Sequence, residues 1–497
     1  MNYISTRGGG QAVSAAGAIK AGLAPDGGLY VPDTTVNIEP AAIEAMKNED
    51  YCGRAAAILP YCLTGYTGGE IADCVRGAYS PLSFDHPEVA PVVKLEEGVW
   101  VQELWHGPTS AFKDMALQIL PRLLPLAAEK TGERAEIVIL VATSGDTGKA
   151  ALEGFKDVPG TRIMVFFPDE GVSEIQRLQM VTQEGSNVGV SAVKGNFDDA
   201  QNGVKAIFTD EVIKKEIKEK GFRFSSANSI NWGRLAPQII YYFSAYLDLQ
   251  KKGLAAGGEP VNFVVPTGNF GNILAGFYAR EAGLPVKRLI CASNENNVLT
   301  DFIKTGVYDR NRSFYKTLSP SMDILISSNL ERLLFELSGR SPEAVRGWMG
   351  DLKDKGVYSV GSGILEKIQS LFWSDYAGDR ETLETISDTF NQKGYLADTH
   401  TAVGISVYKK YRESTGDSTP TVILSTASPY KFNGSVARAL LGEKAAGKNE
   451  FELLETLSHI SGTEIPRNLK DLDKKPVLHG SVIERENMPE FVKAFLG

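Results

Sequence analysis

Three stretches of this chain hold residues that could do chemistry, and each sits beside a small-residue turn. The first is HGPTSAFKD (His106–Asp114), where Lys113 opens the apolar segment MALQILPRLL. A lysine amine can form a Schiff base with an aldehyde once an apolar setting leaves it partly neutral. Taken alone, the position reads as a surface lysine, because lysines are mostly exposed. The second is VNFVVPTGNFGNILAGF, in which Gly268 and Gly271 lie between an apolar run and a helical pattern. Glycines let the backbone turn sharply and bring amides close to a ligand, and a helix N-terminus favours an anion, so the loop suits a phosphate. The register is neither GxGxxG nor a Walker loop. The third is TSGDTGKAA (Thr143–Ala151), with the hydroxyls of Thr143, Ser144 and Thr147 around two glycines. Such a loop can hold a carboxylate or phosphate, and it can equally just cap a helix.

These loops need elements to position them. EIVILVA (Glu136–Ala142), RIMVFFP (Arg162–Pro168), NVGVSAV, VNFVVP (Val261–Pro266), RLICASN and TVILSTASP are short apolar runs, the pattern of buried parallel strands. Helical patterns separate most of them, as in KAALEGFKD, EIQRLQMVTQEG and ILAGFYAREAG. Strands alternating with helices imply parallel sheets with right-handed crossovers. Two such series predict two α/β domains around a cleft, the default place for a site. A mostly helical N-terminal region precedes them. We expect divisions at 1–92, at 93–255 with the lysine and the hydroxyl loop, and at 256–497 with the phosphate loop.

Bulk properties narrow the class. The chain has 497 residues, 43% hydrophobic and 23% charged, with a net charge of -9. That balance argues against a large nucleic-acid footprint. Cys52, Cys62, Cys74 and Cys291 form no CxxC and have no histidine at zinc spacing, so reduced thiols and no metal are expected. No apolar run approaches the roughly 18–20 residues that span a bilayer. The first thirty residues have no basic start followed by an apolar core, so a secretory signal is not expected. A cytoplasmic protein fits best, and oligomeric state is not readable.

A phosphate loop, a carboxylate loop and a lysine are the parts needed to hold pyridoxal 5'-phosphate and an amino acid. The wider set ELWHGPTSAFKD, VATSGDTGKAALEGF, NSINWGR, PTGNFGNILAG, DTHTAVG and LSTASPYKF resembles the threonine synthase family, in order, as does the opening ISTRGG…GLAPDGGLYVP. The resemblance implies a fold type II pyridoxal-phosphate enzyme of the tryptophan synthase β-subunit group. It implies a carbon–oxygen lyase converting O-phospho-L-homoserine and water to L-threonine and phosphate, the last step of threonine biosynthesis. Lys113 then matches the Schiff-base lysine. Gly268, Asn269, Phe270, Gly271 and Asn272 match the cofactor phosphate loop, and Thr426 the partner of the pyridine nitrogen. Ser144, Asp146 and Thr147 match the loop near the substrate carboxylate and the cofactor hydroxyl. Asn228, Ser229, Asn231 and Arg234 resemble the segment reading the substrate phosphate, where Arg234 offers a bidentate fork. Without that context NSINWGR reads as a helix cap and a surface arginine.

Two positions depart from the family pattern: Ser428 stands where histidine is commoner, and PYKF replaces PAKF at Tyr430. His106 and His400 have no partner visible in the sequence, and His106, preceding Gly-Pro, reads as a turn former. A related phospho-lyase giving 2-oxobutyrate, phosphate and ammonia would share the cofactor site. A non-catalytic nucleotide-binding module would be colourless.

Overall fold

The computed structural model describes residues 1–143 and 145–497. Two parallel sheets organise the chain. Eleven strands build them: β1 (Val92–Glu96), β2 (Val99–Glu103), β3 (Glu136–Ala142), β4 (Thr161–Pro168), β5 (Val188–Val193), β6 (Phe222–Ser225), β7 (Val261–Pro266), β8 (Val286–Ser293), β9 (Phe372–Tyr376), β10 (Thr421–Ser425) and β11 (Val482–Ile483). One sheet has the order β9-β8-β7-β10-β2-β1 and the other β11-β5-β4-β3-β6. Every pairing is parallel except β1 with β2, which a tight turn at Glu97-Gly98 joins as a hairpin. The predicted strands are buried along their length because helices cover both faces. In β10, Ile423 pairs with Val264 on one side and Val101 on the other, and is fully buried. Each such side chain contributes roughly 1.5–3 kcal/mol of burial.

The expected divisions do not follow the sheets. The hairpin of residues 92–103, expected beside the lysine loop in 93–255, joins the sheet of residues 261–425. Strand β11, from the far end of the chain, pairs with β5 in the other sheet. Sheet membership is decided by which edge a strand meets in space, so contiguous blocks of sequence cannot express it.

Five helices matter for the site: α1 (Leu120–Lys130), α2 (Asp146–Phe155), α3 (Trp232–Lys251), α4 (Gly271–Glu281) and α5 (Thr399–Thr415). Helix α3 is buried over nearly its whole length between α4, the short helix Asp114–Leu117 and the helix Tyr51–Cys62. Arg54 of that last helix fixes it by donating to Asp248 at 2.7 Å and to the Ser244 hydroxyl at 2.8 Å. The N-terminal region is mostly helical, as expected, with a two-stranded antiparallel pair, Tyr3–Ser5 with Tyr30–Pro32. The segment FDDAQ…KEKG forms two helices, Phe197–Thr209 and Glu211–Glu219, because Asp210 breaks the first and caps the second. No helix among the described residues is long and apolar enough to cross a membrane.

Candidate active site

Four loops meet, and each leaves the C-terminal end of a parallel strand. The loop after β2 carries Lys113, that after β3 Asp146, that after β7 residues 268–272, and that after β10 Thr426 and Lys431. Strands β7, β10 and β2 are neighbours in one sheet, so three of these loops lie side by side. Open α/β sheets place ligands at this end.

The lysine loop and the β10 loop are laced together by backbone. Phe112 N–H donates to Thr426 O at 2.8 Å, and Ser428 N–H to Ser110 O at 3.0 Å. Ala111 and Ala427 form an isolated antiparallel bridge. Asp114 accepts from the Thr109 amide and hydroxyl, both at 2.8 Å, and so closes the turn that presents Lys113. Lys113 is no surface lysine: its side chain is 12% exposed. Its Nζ lies 3.3 Å from Asp146 Oδ2 and 3.3 Å from Ser321 Oγ. Burial pushes its pKa down; Asp146 opposes this, while Lys431 and Arg234 add to the lowering.

Asp146 is the hub. Its Oδ1 takes Lys431 Nζ at 3.0 Å and Gln176 Nε2 at 2.9 Å, and its Oδ2 takes Lys113 and, at 2.9 Å, the Ser321 hydroxyl. Burial works against its charge, but the two ammoniums hold it well below the usual carboxylate range. Thr143 shapes the loop before it, its hydroxyl accepting the Gly145 and Gly148 amides. Gly145 has φ +144°, and a Cβ there would strike the Gln176 side chain. Thr147 lies half-buried in the first turn of α2. Ser144 lies outside the described residues.

The loop at 268–272 has the form expected of an anion cradle. Phe270 takes a left-handed φ of 63° and leads into α4 without any side-chain cap, so the first-turn amides stay open. A Cβ on Gly268 would come within 3.1 Å of the Ser321 and Met322 backbone. Asn269 O is held by Asn329, and Asn272 Oδ1 accepts the hydroxyls of Tyr241 and Tyr242. Asn272 Nδ2 is buried with no protein partner.

In NSINWGR the residues separate. Asn231 caps α3 through Gly233 N–H, and its amide donates to Ile19 O and Ser226 O, all at 2.8–2.9 Å. It is a structural residue here, because both ends of its side chain are spent on the fold. Asn228 is exposed and Ser229 half-buried. Arg234, far from being a surface arginine, is 4% exposed; it donates to Ala227 O and leaves Nε buried without a partner. Burial lowers its pKa to about 10, which still leaves it cationic.

The chain matches three family descriptions in order: "Threonine synthase N terminus" over residues 2–79, "Pyridoxal-phosphate dependent enzyme" over 83–348 and "Threonine synthase, C-terminal" over 401–492. It is 42% identical to a threonine synthase of Pseudomonas aeruginosa, over 90% of this chain and 92% of that one. The chain belongs to the threonine synthase family. It is also 37% identical to the human protein named threonine synthase-like 1, over 95% of this chain but 62% of that longer one. The structure of a threonine synthase from Brucella melitensis with bound pyridoxal phosphate superposes with a TM-score of 0.88 at 38% identity, covering 100% of this chain and 99% of that one.

Threonine synthases are pyridoxal-phosphate enzymes of fold type II, and this site fits the group. The open amides at 270–272 and the orphaned Asn272 Nδ2 suit a phosphate. Among the described residues, Lys113, Lys431 and Arg234 surround Asp146, with Asp114 under the lysine turn, so the cluster keeps an excess of positive charge that suits anionic ligands. Thr426 is buried at the end of β10, 6% exposed, in the same loop as Lys431.

Sequence reasoning passed over Lys431, Ser321 and Gln176. Lys431 carried a weak signal, a lysine five residues after Thr426 in the turn PYKF. Ser321 carried none, standing 208 residues from the lysine it touches. The other residues of that corner have structural work. Ser428 caps the 3-10 turn Pro429–Phe432, and the Tyr430 hydroxyl donates to Thr463 O at 2.8 Å. His106 is clamped between Asp85 at 2.7 Å and Glu103 at 2.9 Å, with both ring nitrogens engaged. His400 holds Asp398 through Nδ1 and accepts Ser321 N–H at Nε2, 3.2 Å, so it steadies the Ser321 loop. A separate cavity of about 370 Å³ lies between the N-terminal region and the far end of α4, and no predicted site residue lines it.

Proposed function

We propose that this chain converts O-phospho-L-homoserine and water to L-threonine and phosphate. The observation that carries the reading is the shared carboxylate: Asp146 binds Lys113 in a buried pocket beside an uncapped helix N-terminus and a buried, half-partnered arginine. Residues 268–272 would hold the phosphate of pyridoxal phosphate, Lys113 its aldehyde carbon, and Thr426 the ring nitrogen. Once bound, that group supplies an electron sink for charge developing at substrate carbons.

The remaining work falls to the chain. Arg234 anchors the substrate phosphate dianion through the guanidinium face left free by Ala227 O. Thr147, in the first turn of α2, and Asn228 and Ser229, just before α3, are the remaining candidates for the substrate carboxylate and phosphate, with Ser144 a candidate by its place in the sequence. Lys113 would serve as the base toward the reacting carbons once it no longer holds the cofactor. Its lowered pKa suits it to take the Cα proton and, once that proton is passed on, the Cβ proton, so that phosphate can leave from Cγ. Protons then return to Cγ and Cα and the hydroxide of water adds at Cβ, the remaining proton of that water going to the departed phosphate. Binding the phosphate anchors the group that leaves, so that affinity is used to orient the bond that breaks.

The test is product analysis with purified protein and O-phospho-L-homoserine. We expect threonine and phosphate in equal amounts and a visible cofactor absorbance. Lys113→Ala should abolish that absorbance and lower turnover by roughly a thousandfold or more. If 2-oxobutyrate and ammonia form instead, the chain is a phospho-lyase; a colourless protein without turnover would reject both. The four cysteines are free thiols, which suits a reducing compartment such as the cytoplasm.

A further inference from the structure

Lys431 is the most deeply buried ammonium at the site. Its side chain is fully enclosed, and its Nζ has two partners, Asp146 Oδ1 at 3.0 Å and Thr109 O at 2.9 Å. Burying a cation is costly unless it is paired and hydrogen-bonded, and a packing role alone would be better served by an apolar side chain. Asp146 therefore lies between two lysines, with Lys113 on Oδ2 and Lys431 on Oδ1. The two differ in one respect. Lys113 also touches the Ser321 hydroxyl and keeps a little exposure, whereas Lys431 is fully enclosed and held by Thr109 O, in the very turn that presents Lys113.

We propose that Lys431 is a positioning residue, the permanent counter-cation of Asp146, which keeps that carboxylate charged and fixed in direction while Lys113 gives up its positive charge. This rests on the reading of Lys113 as the cofactor lysine. If Lys113 were the sole cation on Asp146, losing its charge would strand a buried carboxylate, which would take a proton or swing away. With Lys431 present, Asp146 remains an acceptor toward the ligand side throughout. Lys431 also repels positive charge at the Lys113 nitrogen, favouring the neutral amine needed for proton transfer. The charged and titratable groups around that nitrogen are Asp146 on α2, Lys431 on the 429–432 turn and Arg234 on α3, with Asp114 under the lysine turn and His400 behind Ser321.

The test uses the purified holoenzyme and the pH midpoint at which its visible cofactor absorbance changes, a property of charge at the Lys113 nitrogen rather than of turnover. Lys431→Gln keeps a donor for Asp146 and Thr109 O but removes the charge. We expect its midpoint to rise by about one pH unit or more, the shift of a nearby lost cation, with kcat down at least tenfold and KM little changed. Lys431→Arg should stay within about 0.3 units of the unmodified enzyme. Lys431→Met should shift in the same direction as Gln if it folds. If Lys431→Gln folds and keeps its midpoint and kcat, losing only thermal stability, Lys431 is structural and the proposal fails. If Lys431→Gln does not fold, an unshifted midpoint in a folded Lys431→Met overturns it, and failure of both uncharged variants beside a normal Lys431→Arg shows the charge to be a folding requirement, which also overturns it. Visible absorbance persisting in Lys113→Ala would instead sink the cofactor-lysine reading itself.

Discussion

Single side chains here show how burial changes what a charge does. Arg234 is enclosed and keeps one donor nitrogen without a partner, a cost that the proposed binding of a phosphate would offset. Arg234→Lys retains charge but loses the planar fork. We expect kcat/KM for O-phospho-L-homoserine to fall roughly 10–100-fold, at about 1.5–3 kcal/mol for a charge-assisted pair, mostly through KM. Steady-state kinetics against a substrate lacking phosphate would show no such loss. His106 illustrates the opposite use of charge. Burial disfavours its cation, but the hydrogen bonds to Asp85 and Glu103 outweigh that and raise its pKa from 6.5 to about 9. The folded pKa lies above the unfolded one. The stabilisation is therefore complete below pH 6.5 and lost as pH rises through about 9. It is worth about 3 kcal/mol at most by the size of that shift. Denaturant unfolding from pH 6 to 10 should show this decline, and His106→Gln should flatten it.

At the scale of elements, the site is a set of strand ends brought into line by sheet order. The β7, β10 and β2 loops are adjacent because those strands are adjacent. A buried arginine joins them to the N-terminal region. Arg332 donates to Tyr30 O at 3.0 Å, to Ile230 O at 2.6 Å and to Asn329 Oδ1 at 2.7 Å, and Asn329 in turn holds Asn269 O. One guanidinium therefore spaces the 268–272 loop from the segment that carries Arg234. Arg332→Met would leave three buried acceptors unpaired, at about 1 kcal/mol or more each. We expect a loss of about 3 kcal/mol in stability and faster cofactor loss on dialysis. A variant that loses stability yet retains cofactor normally would show that Arg332 supports the fold only.

For the whole molecule, the chain's last segment closes over its earlier half. Strand β11 extends the sheet of β3–β6, and the helix Met488–Leu496 buries Met488, Val492 and Leu496 against Val138, Leu140, Met164 and Phe166. Asn468 meets the Ser110 hydroxyl at 2.9 Å and so touches the turn that carries Lys113. Removing residues 481–497 should expose a sheet edge and an apolar face, costing on the order of 5 kcal/mol from three large side chains. Urea unfolding and light scattering would detect a lower midpoint and aggregation; unchanged values would mean that the sheet is complete without β11.

What was legible in the sequence was whatever is encoded within five to fifteen residues. Runs such as EIVILVA and VNFVVP determined strands, because an all-apolar run must be buried on both faces. GNFGN predicted a close-approach turn, and in the fold a Cβ on Gly268 would come within 3.1 Å of backbone from another segment. The lysine turn was recognisable from its small residues. Other roles were decided only by the tertiary structure. Lys431 and Ser321 became partners of Asp146 because strand order brings together residues far apart in sequence. Asn231's cap of α3 was local, but its amide was committed to Ile19 O and His106 was clamped by Asp85 only because those partners arrive from other elements. The hairpin at 92–103 and the strand at 482–483 joined sheets on the far side of the expected boundaries for the same reason: local periodicity specifies that a strand forms, whereas the edge it meets is settled by packing of the whole chain.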